Sequence, residues 1–353
     1  MNKRILTIFK QFRETFYDEM QVMHPYPAPY HMEGSVWTHT MMVFNKALDT
    51  NDTVLIVTAL LHDIGKLMAK AEINGKIMFR GHEGISVLKS ISFLNSLVRQ
   101  NLISKKQMFE ILYIVNYHSA LWQYSQKRLQ EFPQWLLNRL MQFRKLDLSA
   151  NITEREIDEI PNIVSKIDNM QDKRKKGNPE AVVYVMVGVP RSGKSTIAKM
   201  LSSKYLLPVV SRDDILIQVL KEKTKNLNIE ENSYNKLFSM AIEHDLHNDI
   251  DKKFREKIND FVKNRQSFIV DKTNVTRKVR NPYTHLSHYK KVAVVALTDL
   301  KETIKRGKDP NKYISQETIL SFAKRLQLPM KGEFDEIQFI FGQEFEKDIC
   351  RSI

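Results

Sequence analysis

The chain has one cysteine, Cys350, in 353 residues. No intramolecular disulfide can staple it, so the expectation is a fold carried by its hydrophobic cores in a reducing, cytoplasmic setting. It has no apolar run approaching the roughly 18 residues needed to cross a bilayer, and no membrane partner is expected. Its first residues, MNKRILTIFKQFRETF, have the pattern of a basic amphipathic helix packed on a core rather than of a cleavable leader. Internal repeats and low-complexity tracts are missing too, which excludes repeat and fibrous architectures. Acidic residues fall short: 41 Asp and Glu against 55 Lys and Arg leave a net charge of +14. That surplus points to a polyanionic partner. It is uneven, since residues 1–165 hold 19 basic and 16 acidic residues, leaving 36 and 25, or +11, for residues 166–353.

What is present is led by Gly188-Val189-Pro190-Arg191-Ser192-Gly193-Lys194-Ser195, which fits G-x-x-x-x-G-K-[ST] in full. A strand-like run, Val182–Val187, precedes it and a helix-like run, Thr196–Lys204, follows. In that context the backbone N–H groups of the loop and the helix N-terminus cradle a nucleotide triphosphate. Gly188, Pro190, Arg191, Ser192, Gly193, Lys194, Ser195 and Thr196 are expected around ATP. Lys194 would reach the β- and γ-phosphates, and the Ser195 hydroxyl would ligate Mg²⁺.

The length suggests two domains. Residues 1 to about 165 read as helices of 3.6-residue period, among them Thr53–Leu61, Ile85–Leu97, Lys105–Asn116 and Trp135–Ser149. Gln171–Pro179 (QDKRKKGNP) is a charged, Gly- and Pro-containing break. Beyond it, the runs Val182–Val187, Leu207–Val210, Ser267–Val270 and Val292–Leu297 alternate with helical stretches, which predicts a mostly parallel α/β sheet. The expected organisation is an all-α domain over 1–168, a linker over 169–180 and an α/β domain with a helical lid over 181–353.

Six of the ten histidines lie before residue 120. The order His39, His62-Asp63-Ile64-Gly65-Lys66, His82, His118, Asp147 places imidazoles and carboxylates in or beside helical patterns. Such ligands suit Mn²⁺, Ni²⁺, Fe²⁺, Zn²⁺ or Mg²⁺. His62 and Asp63 are about 100° apart around a helix axis, but the long imidazole and the short carboxylate can still converge on one ion. Gly65 ends that helix and lets Lys66 approach an anion. An isolated buried histidine is more often a satisfied core residue, and it is the ordered set that points to metal. His24 beside Pro25 reads as loop structure, and His31 as a residue that could line the pocket.

This order resembles the HD phosphohydrolase superfamily. The resemblance implies His39, His62, Asp63 and Asp147 as metal ligands, and His82 and His118 as holders of a second metal or of the phosphate. Asp63 and Lys66 would then be the catalytic pair. Tyr30–Thr40 and Arg80-Gly81-His82-Glu83 are similar to the HD domain appended to bacterial tRNA nucleotidyltransferases, which hydrolyses 2′,3′-cyclic phosphates and phosphomonoesters.

In the second half, Val209-Val210-Ser211-Arg212-Asp213-Asp214 is a strand running into an acidic turn. In a doubly wound sheet its carboxyl end opens on the phosphate-loop crevice. Asp213 is the expected general base, and Asp214 reads alternatively as a helix cap. Phe268–Asn274 ends a further strand, with Asp271 expected to act on Mg²⁺ through water and Thr273 and Asn274 to orient phosphate or acceptor. Arg277 and Arg280 follow, either solvated or functional. These motifs, with Lys305-Arg306-Gly307-Lys308 as a lid in which Arg306 would meet phosphate, resemble the polynucleotide 5′-kinase branch of the P-loop kinases. Leu216 and Ile217 stand where that family grips the acceptor's 3′-phosphate with arginine.

An HD domain ahead of a P-loop kinase resembles the HD-type polynucleotide kinase-phosphatases, bacterial and phage enzymes of RNA end healing. The implied activities are 5′-hydroxyl phosphorylation with ATP and Mg²⁺, and removal of 2′,3′-cyclic, 2′- or 3′-phosphate with a transition metal such as Mn²⁺ or Ni²⁺. The implied partners are RNA or DNA ends, tRNA fragments among them, and an RNA ligase acting afterwards. Two alternatives stay open: a nucleoside or small-alcohol kinase fused to an HD nucleotidase, and an ATP-gated RNA-binding regulator.

Overall fold

A computed structural model describes residues 2–21, 34–150, 181–223 and 234–342. His24, His31, the segment Tyr30–Glu33, the expected linker and Cys350 lie outside the described residues. The chain divides into two compact units, Met1–Lys173 with Ala323–Leu328, and Arg174–Phe322 with Pro329–Ile353.

The first unit contains α1 (Lys3–Gln21), α2 (Val36–Leu48), α3 (Thr53–Leu61), α4 (Lys66–Ala69), the strands β1 (Ala71–Ile73) and β2 (Lys76–Met78), α5 (His82–Arg99), α6 (Lys105–Tyr117), α7 (Ala120–Gln123), α8 (Gln126–Leu129) and α9 (Gln134–Ser149). At its centre α3, TVLIVTALL, is apolar on every side and buried from Val54 to Leu61. Asp52 caps its start by accepting from the Val54 and Leu55 N–H groups. The amphipathic α1 buries Ile5, Ile8, Phe12, Phe16 and Met20 at helical spacing. The all-α expectation needs one correction. β1 and β2 form an antiparallel hairpin, whose turn residues Asn74 and Gly75 both have positive φ. This Asn-Gly pair is the strongest short hairpin signal a sequence offers.

Ala323–Leu328 packs within this unit against the starts and ends of its helices. Asn116 Nδ2 donates to the Leu326 carbonyl at 3.0 Å, and the Leu328 N–H returns a bond to Asn116 Oδ1 at 2.8 Å. Gly84 is required at that contact, because a Cβ there would sit 2.1 Å from the Ala323 oxygen. Nothing in the sequence signals this excursion.

The second unit contains β3 (Ala181–Val187), α10 (Lys194–Tyr205), β4 (Val209–Ser211), α11 (Arg212–Lys223), α12 (Tyr234–Glu243), α13 (His247–Lys263), β5 (Phe268–Asp271), α14 (Arg277–Thr284), β6 (Tyr289–Leu297), α15 (Leu300–Gly307), the 3₁₀ turn Pro310–Lys312, α16 (Gln316–Ala323) and β7 (Glu336–Phe341). The strands form one sheet in the order β4-β5-β3-β6-β7, and every pairing is parallel. The near-continuous apolar run of β3 suits a central strand covered on both faces. Met186, Ile269, Val294 and Ala296 pack with Ile197, Ala198 and Leu201 of α10 in the core. Among the four strands expected from sequence, all form; β7 was not expected. The register sets Ser211 opposite Asp271, so the ends of β3, β4 and β5 converge on one edge, where doubly wound sheets bind ligands.

Candidate functional sites

The histidine cluster is built from helix ends. His62 is the C-cap of α3, His82 opens α5 and His118 is the C-cap of α6. Asp147 lies in the last turn of α9, and His39 in the first half of α2. In three rings Nδ1 is tied to a carbonyl three residues back: Ala59 for His62 at 2.9 Å, Phe79 for His82 at 2.8 Å and Val115 for His118 at 2.9 Å. That bond fixes the tautomer and aims Nε2 inward as a ligand atom.

The inward atoms meet. His39 Nε2 lies 3.1 Å from Asp147 Oδ1, and His62 Nε2 lies 3.2 Å from Asp63 Oδ2. His82 Nε2 is 3.2 Å from Asp63 Oδ1 and 3.1 Å from His118 Nε2. Two donor sets result, His39–His62–Asp147 and Asp63–His82–His118, each with ligand atoms within 4.8 Å of one another. Lys66 Nζ sits 2.6 Å from Asp63 Oδ2. All six candidate ligands predicted from the sequence, and Lys66 with them, are thereby brought together.

The electrostatics fit a cation. Burial opposes charge on Asp63, but the His62 imidazole and the Lys66 ammonium outweigh it and hold its carboxyl well below the carboxylate range. Asp147 is likewise lowered against its burial, through its bond to His39. Burial pushes His118 down to about 4, leaving a neutral ring with a lone pair to give. The buried His62 Nε2 has no hydrogen-bond partner among the described residues, which a metal ion would satisfy. The donor set, nitrogen-rich with two carboxylates, fits a divalent transition metal.

Behind the ligands stand residues that the sequence did not single out for a role. Ser86 Oγ donates to the His62 carbonyl at 2.8 Å and accepts from the Gly65 N–H at 2.9 Å. Lys89 Nζ donates to the Ile64 carbonyl at 2.7 Å. Together they pin the turn that carries His62 and Asp63. Glu83 accepts from the Ser119 hydroxyl, joining the residues next to His82 and His118.

In the second unit the phosphate loop closes over its own lysine. Gly193 caps α10 with φ +92°, a conformation that favours glycine. At Gly188 a Cβ would lie 2.8 Å from the Ala296 oxygen. Lys194 Nζ donates to the Val189 carbonyl at 2.7 Å. Burial lowers its pKa to about 8. Burial raises the Asp271 carboxyl, although the nearby Ser195 hydroxyl works in the opposite direction. This hydroxyl–carboxylate pair beside the loop fits Mg²⁺. Thr196 is exposed in the first turn of α10, and Pro190 is half-buried in the loop. The Ser192 carbonyl accepts from Thr298 at 2.9 Å.

Asp213, at the carboxyl edge of β4, accepts from the Tyr234 hydroxyl at 2.8 Å and from Lys312 Nζ. Neither partner was expected from the sequence. Asp213, Asp271 and Lys312 all lie within electrostatic reach of Lys194. Asp214 is not the cap of α11; its N–H donates to Ser211 Oγ at 3.3 Å.

Other expectations are redirected. Arg191 has φ +66° and spends its guanidinium on the Arg306 carbonyl at 2.7 Å and on Asp309 at 2.8 Å. Arg306 pairs with Glu302 on its own helix at 2.8 Å. Arg280 is fully buried, bidentate to Glu333 at 2.9 Å and 2.9 Å, and donates to the Asn274 carbonyl. Asn274 is itself buried, with Nδ2 on the Met186 carbonyl, and the Thr273 carbonyl accepts from Gly188 N–H. The Arg280 and Asn274 side chains and the Thr273 carbonyl therefore brace the phosphate loop. Leu216 is fully buried and belongs to the core.

Residues 183–329 match the family model described as an AAA domain. No curated protein is matched. Among solved structures, a gluconokinase from Sinorhizobium meliloti 1021 is similar at 13% identity and TM-score 0.33, covering 49% of this chain and 89% of that one. TT1252 from Thermus thermophilus is similar at 16% identity and TM-score 0.33, over 49% and 95%. The C-terminal part is an α/β domain with a parallel sheet and a P-loop. No described helix is long and apolar enough to cross a membrane.

Proposed function

We propose that the protein is a bifunctional nucleic-acid end-healing enzyme. One activity transfers the γ-phosphoryl group of ATP to a 5′-hydroxyl end; the other removes 2′,3′-cyclic, 2′- or 3′-phosphate from RNA ends. The observation that carries the reading is the pairing of two complete constellations on one chain. One is a phosphate loop with Asp213 within electrostatic reach of Lys194, and the other a double His/Asp cluster with a lysine at its edge.

In the transfer, Asp213 takes the proton of the acceptor hydroxyl as its oxygen attacks the γ-phosphorus. The bond to the β,γ-bridging oxygen breaks and ADP leaves with that electron pair. Lys194 offsets the charge on the phosphates. Ser195 and Asp271 would hold Mg²⁺, which when bound would offset the charge that develops on the phosphates.

In the hydrolysis, His39, His62, Asp63 and Asp147, with His82 and His118, would hold one or two divalent metals. When bound, such an ion supplies Lewis acidity and an acidified water. Lys66 binds the anionic phosphate, and the carbonyl-tethered imidazoles keep the donor atoms aligned. The surplus of 11 positive charges in residues 166–353 suits a phosphodiester backbone, and an RNA ligase would use the healed ends.

One observation favours a second reading. Leu216 is sealed in the core, so no arginine grips an acceptor phosphate there, as a nucleoside or small-alcohol kinase would allow. Labelled ATP offered with a 5′-hydroxyl oligonucleotide, a nucleoside or a simple alcohol separates the two. Transfer to the oligonucleotide is expected; transfer confined to the small acceptors would overturn the polynucleotide reading.

A further inference from the structure

Helix α12 buries Leu237 and Ala241 in the core. A second apolar stripe, Tyr234–Phe238–Ile242, follows the four-residue spacing of one helix side. Its first ring is stacked on the second at 6.3 Å and 22°, while Phe238 is 36% and Ile242 52% exposed. The stripe begins at the base, because the Tyr234 hydroxyl donates to Asp213. Asn235 Nδ2 donates to the Tyr313 carbonyl at 2.7 Å and so fastens the end of the 3₁₀ turn to α12. Lys312, from that turn, lies 4.1 Å over the Tyr234 ring with its ammonium on Asp213.

We propose that α12 and the 3₁₀ turn form the acceptor shelf of the kinase unit. The terminal nucleobase of a 5′-hydroxyl strand stacks on Phe238, Lys312 leaves Asp213 for the first backbone phosphate, and the 5′-oxygen takes the vacated place at Asp213. An apolar aromatic face beside an ammonium is the complement of a nucleotide, which offers a π-face and an anion. A polyol would call for an array of side-chain hydrogen-bonding groups, which an apolar stripe does not offer. The shelf also accounts for the buried Leu216, since the acceptor is held from α12 rather than from α11. This inference rests on the kinase reading above.

The test uses the full chain and two acceptors, a 5′-hydroxyl oligonucleotide and the same strand with an abasic 5′-terminal residue. Phe238→Ala is expected to lower kcat/KM about tenfold for the base-bearing strand, the scale of one lost base–aromatic stack, and by less than about twofold for the abasic one. Phe238→Trp should restore the difference between the two strands. Melting temperature and ATP affinity, measured alongside, expose any general loss of fold. Equal losses on both acceptors, or none on either, would overturn the shelf while leaving the kinase reading intact. A wild-type protein that phosphorylates only nucleosides or simple alcohols would overturn both.

Discussion

The Tyr234 hydroxyl donates to the carboxylate of Asp213 across 2.8 Å, joining helix α12 to the end of strand β4. The bond orients the Asp213 carboxylate through one oxygen, and the Lys312 ammonium holds the other. Burial and the adjacent Asp213 charge raise the Tyr234 phenol, so it stays a donor through the working pH range.

Asp213→Asn should therefore retain ATP binding and lose phosphoryl transfer by about 10²-fold or more, the usual scale for a general base. Tyr234→Phe should cost about tenfold, in keeping with one hydrogen bond to a charged group. Single-turnover rates with labelled ATP check both, and near-normal transfer by Asp213→Asn would move the base to Asp214 or Asp271.

Lys194→Ala is expected to abolish transfer and leave phosphate removal intact, because the two constellations lie in separate units. Loss of both activities in a folded variant would refute separate sites.

The same lysine predicts a pH signature. With a pKa near 8 instead of 10.5, free Lys194 loses its proton between these values while the unfolded chain keeps it. Its burial thus costs stability below about pH 8, and that cost is relieved as pH rises toward 10.5. Lys194→Met should accordingly melt higher than wild type at pH 7, with the gap closing above pH 10. Bound phosphates favour the ammonium, so calorimetry at pH 8.5 should show proton uptake on ATP binding, absent in Lys194→Met.

Asp63→Ala should eliminate hydrolysis of 2′,3′-cyclic and 3′-phosphate ends without harming the kinase. Asp63 approaches His62 through one carboxylate oxygen and His82 through the other, so its loss disturbs both donor sets. Metal analysis of purified protein is expected to show reduced transition-metal content, and EDTA should mimic the variant for the hydrolase. Wild-type metal content with an unchanged hydrolysis rate would count against the site.

Glu333→Gln leaves the fully buried Arg280 guanidinium short of a counter-charge. Removing one partner of a buried pair costs about 3–5 kcal/mol, and because Arg280 also holds the Asn274 carbonyl, ATP affinity should fall with the melting temperature. A variant as stable as wild type would show that the pair is not what braces the loop.

Many of the residues that gather at both sites were legible along the chain because their signals are local. The phosphate loop is one turn between a strand and a helix, and His62-Asp63-Ile64-Gly65-Lys66 ends one helix and starts another. His39, His82, His118 and Asp147 could be nominated from residue type and order, but their convergence needed α2, α6 and α9 to pack on α3 and α5 to pack on α6 and on the turn after α3. What tertiary structure alone decided concerns residues whose type says little. Arg280 reads as a surface cation and is a buried brace. Arg191 and Arg306 read as phosphate ligands, yet bind Asp309 and Glu302. Tyr234 and Lys312 carry no motif and stand 21 and 99 residues from the Asp213 they hold. Sequence records which groups a chain can offer, but contacts over such separations depend on which faces the cores bury, and that is settled only when the helices and sheet pack.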